Sequence, residues 1–330
     1  MHHPIELTPP DIRPYRDGNA GVDYVHVIDS GKPGPTVMVQ ALTHGNEFCG
    51  ALAAVELLES HVRPVRGKLI VAFANVEAFA RFDFDDPDRS RYVDEDYNRV
   101  WGDDVLFGAR DSVELRRARQ LQPFVDQADL LLDLHSMHEP CRPIMVCGVG
   151  GRGGDKAVAL SRRLGVPGDL LLDTGHPAGL RMIERGGFGD PTSPKVALLI
   201  ECGQHWEASA VEVARDTLWR FLRASAAVSP AVADLRVLRA AASAQQVIRV
   251  TEPVVAESMD FRFASDFTGL EVIARAGTPI AFDGERTWVT PYDDTVLVMP
   301  SLAHLKPGTT MVRLGRIDRP AVASTATAAG

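Results

Sequence analysis

The strongest constraint on this chain is an alternation of short aliphatic runs with helical patterns, in which several runs close on a polar residue. Strand-length runs lie at residues 36–42, 68–74, 128–134, 143–147 and 195–200, and helical patterns lie at 47–61, 111–127, 155–164 and 207–226. That order predicts an α/β region with a largely parallel sheet and helices on its faces. Strands covered on both faces are almost continuously apolar. A carboxylate or imidazole ending such a run is therefore solvated or used. Residues 23–29 alternate in period two and are followed by the turn-rich segment 30–35, which reads as a hairpin-like entry to the sheet. The charged stretch 77–104 is too polar and irregular for a core element, and loops of that length inside a domain are usually functional.

After Ser229-Pro230 the pattern changes. Residues 247–313 hold short β-prone runs punctuated by Pro and Gly and read as a separate all-β unit. The expected organisation is an α/β domain over 1–230, a β-rich domain over 231–318 overhanging the site, and a frayed tail over 319–330. The 330 residues accommodate that division, and 45% hydrophobic content excludes a disordered chain. A net charge of −9 argues against a phosphate-backbone partner. No window reaches about 18 uninterrupted apolar residues and the N-terminus carries no signal-peptide pattern, so a cytoplasmic protein without membrane association is expected. Cys49, Cys141, Cys147 and Cys202 form no CxxC pair and signal neither a disulfide framework nor a zinc ribbon.

His44-Gly-Asn-Glu47 follows the run at 36–42 directly, and Asp133-Leu-His135-Ser ends the run at 128–134. Sites in open α/β sheets gather outside the carboxyl ends of the strands, so His44, Glu47 and His135 are predicted to converge there. Two His, one Glu and an open fourth position make a catalytic zinc pattern. The run at 195–200 ends in Glu201, a carboxylate suited to general-base work. Arg91-Tyr-Val-Asp-Glu-Asp96-Tyr-Asn98-Arg99-Val-Trp101 concentrates arginines that can clamp a carboxylate or stabilise an oxyanion.

These four motifs occur in the order found in the zinc carboxypeptidase-like superfamily, and the sequence resembles its succinylglutamate desuccinylase/aspartoacylase branch over residues 36–205, with architectural similarity to about 316. The resemblance implies a mixed sheet with flanking helices and a smaller C-terminal β domain, and one zinc ion per chain held by His44, Glu47 and His135. It further implies that Glu201 is general base and proton shuttle, that Arg91 polarises the scissile carbonyl, and that Asn98 and Arg99 bind the substrate carboxylate. Asp96 would orient the first zinc histidine. Arg181 and Arg185 fall where the branch carries a substrate-contacting residue, and Tyr292 is a candidate lid residue. The implied activity is hydrolysis of the amide of a small, carboxylate-bearing N-acyl amino acid, with an assembly of identical subunits left open. A metallocarboxypeptidase acting on short peptides is the alternative within enzymes, and a non-catalytic metal- or ligand-binding protein the alternative outside them. Asn75-Val-Glu-Ala78 departs from the branch's usual Asn-Pro-x-Ala, and the acidic segment 83–88 would repel aspartate or succinylglutamate if it bordered the pocket.

Gly148-Val-Gly150-Gly-Arg-Gly153 satisfies a dinucleotide-binding pattern, but its glycine density reads better as a surface loop. His138, His176 and His205 are set aside as lesser candidates for the site. Cys202 is expected on the opposite face of its strand from Glu201.

Overall fold

The computed structural model describes residues 3–237, 240–242, 244–303 and 305–318. The tail expected at 319–330 lies outside the described residues. In chain order the first region holds β1 (Val25–Asp29), β2 (Thr36–Ala41), α1 (Cys49–Glu59), β3 (Lys68–Phe73) and the one-turn helices α2 (Val76–Phe79) and α3 (Asp103–Leu106). There follow α4 (Val113–Gln127), β4 (Leu130–Met137), β5 (Ile144–Val149), α5 (Gly154–Leu164), β6 (Asp169–Asp173), β7 (Val196–Gln204), α6 (Ala208–Ala224) and α7 (Pro230–Asp234). The C-terminal strands are β8 (Gln246–Val255), β9 (Arg262–Phe263), β10 (Glu271–Ile273), β11 (Pro279–Asp283), β12 (Arg286–Val289), β13 (Thr295–Val298) and β14 (Thr310–Asp318).

The main sheet runs β1-β3-β2-β4-β7-β5-β6-β8-β14-β13-β10, and β12-β11-β9 form a small antiparallel sheet. Strands β3, β2, β4 and β7 are parallel, and their rungs are level: Val71 pairs with Val39, Val39 with Leu132, and Leu132 with Leu198. Residues that leave these strands at the carboxyl end therefore emerge side by side. The hairpin-like entry does not form. β1 pairs antiparallel with β3, which lies between β1 and β2. The apolar β2 gains parallel neighbours on both sides, and the half-polar β1 takes the edge, where one face and one row of backbone groups can meet water.

Period two divides the sheet into two cores. Val39, Ala41, Leu132, Leu134, Leu198 and Ile200 belong to the layer shared with α1, α5 and α6. Met38, Ile70, Leu131 and Leu199 face α4 and the buried Tyr97, Val100 and Trp101, so part of the stretch read as a loop is core. Ser112 caps α4 by accepting from Leu115 N at 3.0 Å, and Leu115, Ala118, Leu121 and Val125 give it one apolar stripe. Truncating Leu115 to Ala would cost about 2–5 kcal/mol. Gly165, at φ +73°, stops α5 in a left-handed cap that L side chains resist.

The C-terminal strands continue the main sheet. β8 pairs parallel with β6 and antiparallel with β14. A third core of Val254, Phe261, Ile280 and Leu297 underlies the small sheet. The strand β6 had no counterpart in the sequence reading, because Leu170-Leu-Leu172 between two aspartates is too short to declare a period.

Candidate active site

The level carboxyl ends of β2, β4 and β7 deliver the polar residues to one wall of a cleft of about 660 Å³. His44 and Glu47 come from the turn between β2 and α1. The chain leaves β2 through Leu42, a buried non-glycine residue at φ +60°, a strained conformation of the kind that packing must hold in place. Gly45 permits the next step. A Cβ there would lie 2.3 Å from Ser90 O and 2.4 Å from Phe79 N, so only glycine lets the arginine-bearing segment pack against this turn. Gly45 N donates to Arg91 O at 3.0 Å, tying the two motifs together.

His44 Nδ1 lies 2.7 Å from Glu47 Oε1, and His135 Nδ1 lies 3.0 Å from Glu47 Oε2. All three side chains are buried, and their donor atoms lie within 4.8 Å of one another. Each imidazole turns its other nitrogen to an aspartate: His44 Nε2 to Asp96 Oδ1 at 3.1 Å and His135 Nε2 to Asp133 Oδ2 at 2.8 Å. Asp133 is itself held by Thr43 Oγ1 at 2.8 Å. Carboxylates behind both histidines fix ring orientation and raise basicity, the arrangement that divalent metal sites use. Two imidazole nitrogens and a carboxylate are a donor set that fits zinc. Burial opposes ionisation of Glu47, but His44 and His135 hold its carboxyl well below the usual range. Burial likewise opposes the charged form of His135, which Asp133 and Glu47 nonetheless raise well above an ordinary histidine.

Glu201 is the register partner of His135 on β7 and also lines the cleft. Burial pushes its carboxyl up to about 8, and its Oε2 has no hydrogen-bond partner among the described residues. Cys202 lies in the opposite core, as period two requires.

The arginine segment is held from behind by a residue that sequence reasoning missed. The Glu114 carboxylate on α4 accepts from Val93 N at 2.7 Å, Asp94 N at 3.1 Å, Glu95 N at 3.2 Å and Asn75 Nδ2 at 3.0 Å. Its signal was only a carboxylate in the first turn of a helix. Arg91 Nη1 donates to Glu47 Oε1 at 3.0 Å, and Arg91 Nη2 lies 3.5 Å from Asp96 Oδ2. Asn98 Oδ1 accepts from Met182 N at 3.1 Å, and Arg99 Nη1 donates to Asn98 O at 2.7 Å. Arg91, Asp96, Asn98 and Arg99 all line the cleft.

The remaining arginines separate. Arg181 lines the cleft but is committed to Asp173 Oδ2 at 2.8 Å and Glu184 Oε1 at 2.5 Å. Arg185 lies away from the cleft lining, bound to Asp126 at 2.8 Å and Asp103 at 2.7 Å. Tyr292 also lies outside it, with its hydroxyl 2.7 Å from Thr251 Oγ1 and its ring under Arg316. Arg313, unnoticed in the sequence, enters the cleft from β14, and its one ion pair among the described residues is a 3.9 Å contact with Asp173. His176 and His205 line the same cleft, and burial lowers both to about 3, helped at His176 by Arg99 and Arg313.

The glycine-rich segment has a structural account. A Cβ at Gly153 would lie 1.8 Å from Phe188 O, and the adjoining cavity of about 10 Å³ has room for about one water and not for a nucleotide. Gly153 and Gly154 serve packing, whereas Gly148 and Gly151 take positive φ.

The catalytic-domain model of the succinylglutamate desuccinylase/aspartoacylase family matches residues 33–223, more than half of the chain. The chain belongs to this family. Among solved structures, the succinylglutamate desuccinylase of Vibrio cholerae has a TM-score of 0.66 at 17% identity, covering 90% of this chain and 86% of its own. The succinylglutamate desuccinylase/aspartoacylase of Rhodobacter sphaeroides has a TM-score of 0.63 at 17% identity, covering 90% and 89%. The product-bound ectoine utilization protein EutE (DoeB) of Ruegeria pomeroyi has 0.61 at 17% identity, covering 88% of each chain. At these identities the likeness speaks for the fold. No curated protein sequence matches the chain. The family match spans His44, Glu47, Arg91, Asn98, Arg99, His135 and Glu201, whereas Arg313 and the other cleft residues beyond 223 lie outside it. No helix among the described residues is long and apolar enough to cross a membrane.

Proposed function

We propose that this protein is a zinc-dependent deacylase that hydrolyses the amide of a small N-acyl amino acid. The carrying observation is the half-buried carboxylate of Glu201, whose buried Oε2 has no hydrogen-bond partner among the described residues, set across the β4–β7 ladder from the convergent donors of His44, Glu47 and His135. When bound by that triad, zinc supplies Lewis-acid polarisation and eases deprotonation of water.

The protein's own groups account for the rest. Glu201 takes a proton from the attacking water as its oxygen bonds to the acyl carbon, then gives that proton to the nitrogen as the C–N bond breaks. A carboxylate and an amine result. Arg91, beside Glu47, stabilises the negative charge that grows on the carbonyl oxygen. Arg99 and Arg313 receive a carboxylate of the amino-acid half, because Arg181 is already neutralised by Asp173 and Glu184. Met299, Ser301 and Lys306 form part of the cleft boundary, which favours a small substrate over a long peptide.

The test is to incubate the zinc-loaded protein with N-acetyl, N-succinyl and N-formyl amino acids and with tripeptides, measuring free amine. Faster release from an acyl amino acid than from any tripeptide is expected. Tripeptides cleaved faster would make it a carboxypeptidase.

A further inference from the structure

A second set of donors converges at the mouth of the cleft, apart from the buried triad. His3 Nε2 lies 3.2 Å from Glu139 Oε2, and His138 Nδ1 lies 3.1 Å from Glu139 Oε1. One ligand atom from each of the three residues lies within 4.8 Å of the others. The far nitrogen of His138 meets Asp88 Oδ2 at 3.0 Å. His138 and Glu139 line the cleft directly after β4, and His3 reaches them from the N-terminal segment.

The charge arrangement is informative. A neutral imidazole has one N–H and an ionised carboxylate only accepts, so a histidine with a carboxylate at each nitrogen is satisfied only as imidazolium or with a cation on one side. His135 has that arrangement, with Nδ1 toward Glu47 and Nε2 toward Asp133, while at His44 the Arg91 guanidinium stands 3.1 Å from Nε2 beside Asp96. His138 repeats it, with Nδ1 toward Glu139 and Nε2 toward Asp88. A second imidazole, His3, stands on the Glu139 side, its ring centroid 5.6 Å from that of His138.

We propose that His3, His138 and Glu139 form a second divalent-cation site, in which Asp88 orients His138. The donors select a zinc-like ion over magnesium. Their side chains are 19%, 20% and 36% exposed, which leaves room for water ligands and makes the site weaker than the buried triad. An ion there neutralises Asp88 and Glu139 at the entrance to a cleft whose interior presents Arg99 and Arg313. An anionic ligand then meets less repulsion on entry. The acidic segment at 83–88 thus contributes through Asp88 to a cation site at the rim.

The site is tested on untagged, chelator-stripped protein dialysed against zinc, with bound metal measured per chain. Wild type is expected to hold two ions. At the zinc concentration that saturates it, His3→Ala and His138→Ala are each expected to hold one, with the affinity of the second ion lowered at least tenfold. His135→Ala is expected to lose the buried ion and keep the one at the mouth. A single ion in saturated wild type, or two ions in both His3→Ala and His138→Ala, would overturn the proposal and leave His138 an imidazolium between two carboxylates. His3 is peripheral, so its variant keeps the test decisive if His138→Ala misfolds. Two ions in a protein without deacylase activity would support this site while telling against the catalytic reading alone.

Discussion

His135 and Glu201 are register partners on the adjacent parallel strands β4 and β7. The pairing puts an imidazole of the candidate metal triad beside a half-buried carboxylate whose buried Oε2 has no hydrogen-bond partner among the described residues. Rigid strands, not mobile loops, set that spacing, which suits groups that must act within a hydrogen bond's reach.

Glu201→Gln should lower turnover about 10²–10⁴-fold, the usual worth of positioned acid–base catalysis, while zinc per chain stays unchanged. Turnover within threefold of wild type would remove Glu201 from the proton-transfer role.

Asp133→Asn should weaken metal binding about 10–100-fold, because it removes the carboxylate that orients His135. Competition with a chromophoric chelator measures this. Unchanged affinity would show that ring packing alone holds the histidine.

Glu114→Ala leaves three backbone N–H groups of the arginine segment without their acceptor. We expect at least about 2 kcal/mol lost stability in a denaturant titration, and faster amide exchange at residues 93–95. Catalytic efficiency should fall as well, since Arg91 lies two residues before the released segment. An unchanged exchange rate would mean that the segment is anchored elsewhere.

Arg313→Met should raise KM for carboxylate-bearing substrates at least tenfold with a much smaller change in kcat, whereas Arg185→Met should leave KM unchanged. Arg185 is tied to Asp103 and Asp126 away from the cleft. Equal KM values for wild type and Arg313→Met would return the carboxylate to Arg99 alone.

Asp173 supplies a pH test. Burial opposes its ionisation, but Arg181 and Arg313 hold its carboxyl below the usual value. A depressed folded-state pKa means that its contribution is complete above about pH 4, the unfolded value, and disappears as pH falls through the lower folded value. Melting temperature measured between pH 2 and pH 5 should therefore fall more steeply in wild type than in Asp173→Asn. Parallel curves would rule out this linkage.

Much of the site was legible because its signals are local. His135 and Glu201 close apolar runs and His44 and Glu47 follow one in the next turn, and a parallel sheet carries such ends to one edge. The strand β6 was hidden by brevity. The pairing of β1 was hidden because a turn after a strand does not say which neighbour the strand will take.

The sequence by itself determined the α/β alternation and the donor chemistry of the triad, both of which follow from side-chain type and spacing along the chain. Only the tertiary structure decided which arginine is left to meet a ligand. Arg181 and Arg185 acquire close carboxylate partners, whereas Arg313 arrives from β14 with one ion pair among the described residues, a 3.9 Å contact with Asp173. The reason is physical: an arginine's availability depends on every charge packed around it, and those charges come from strands and helices distant in sequence.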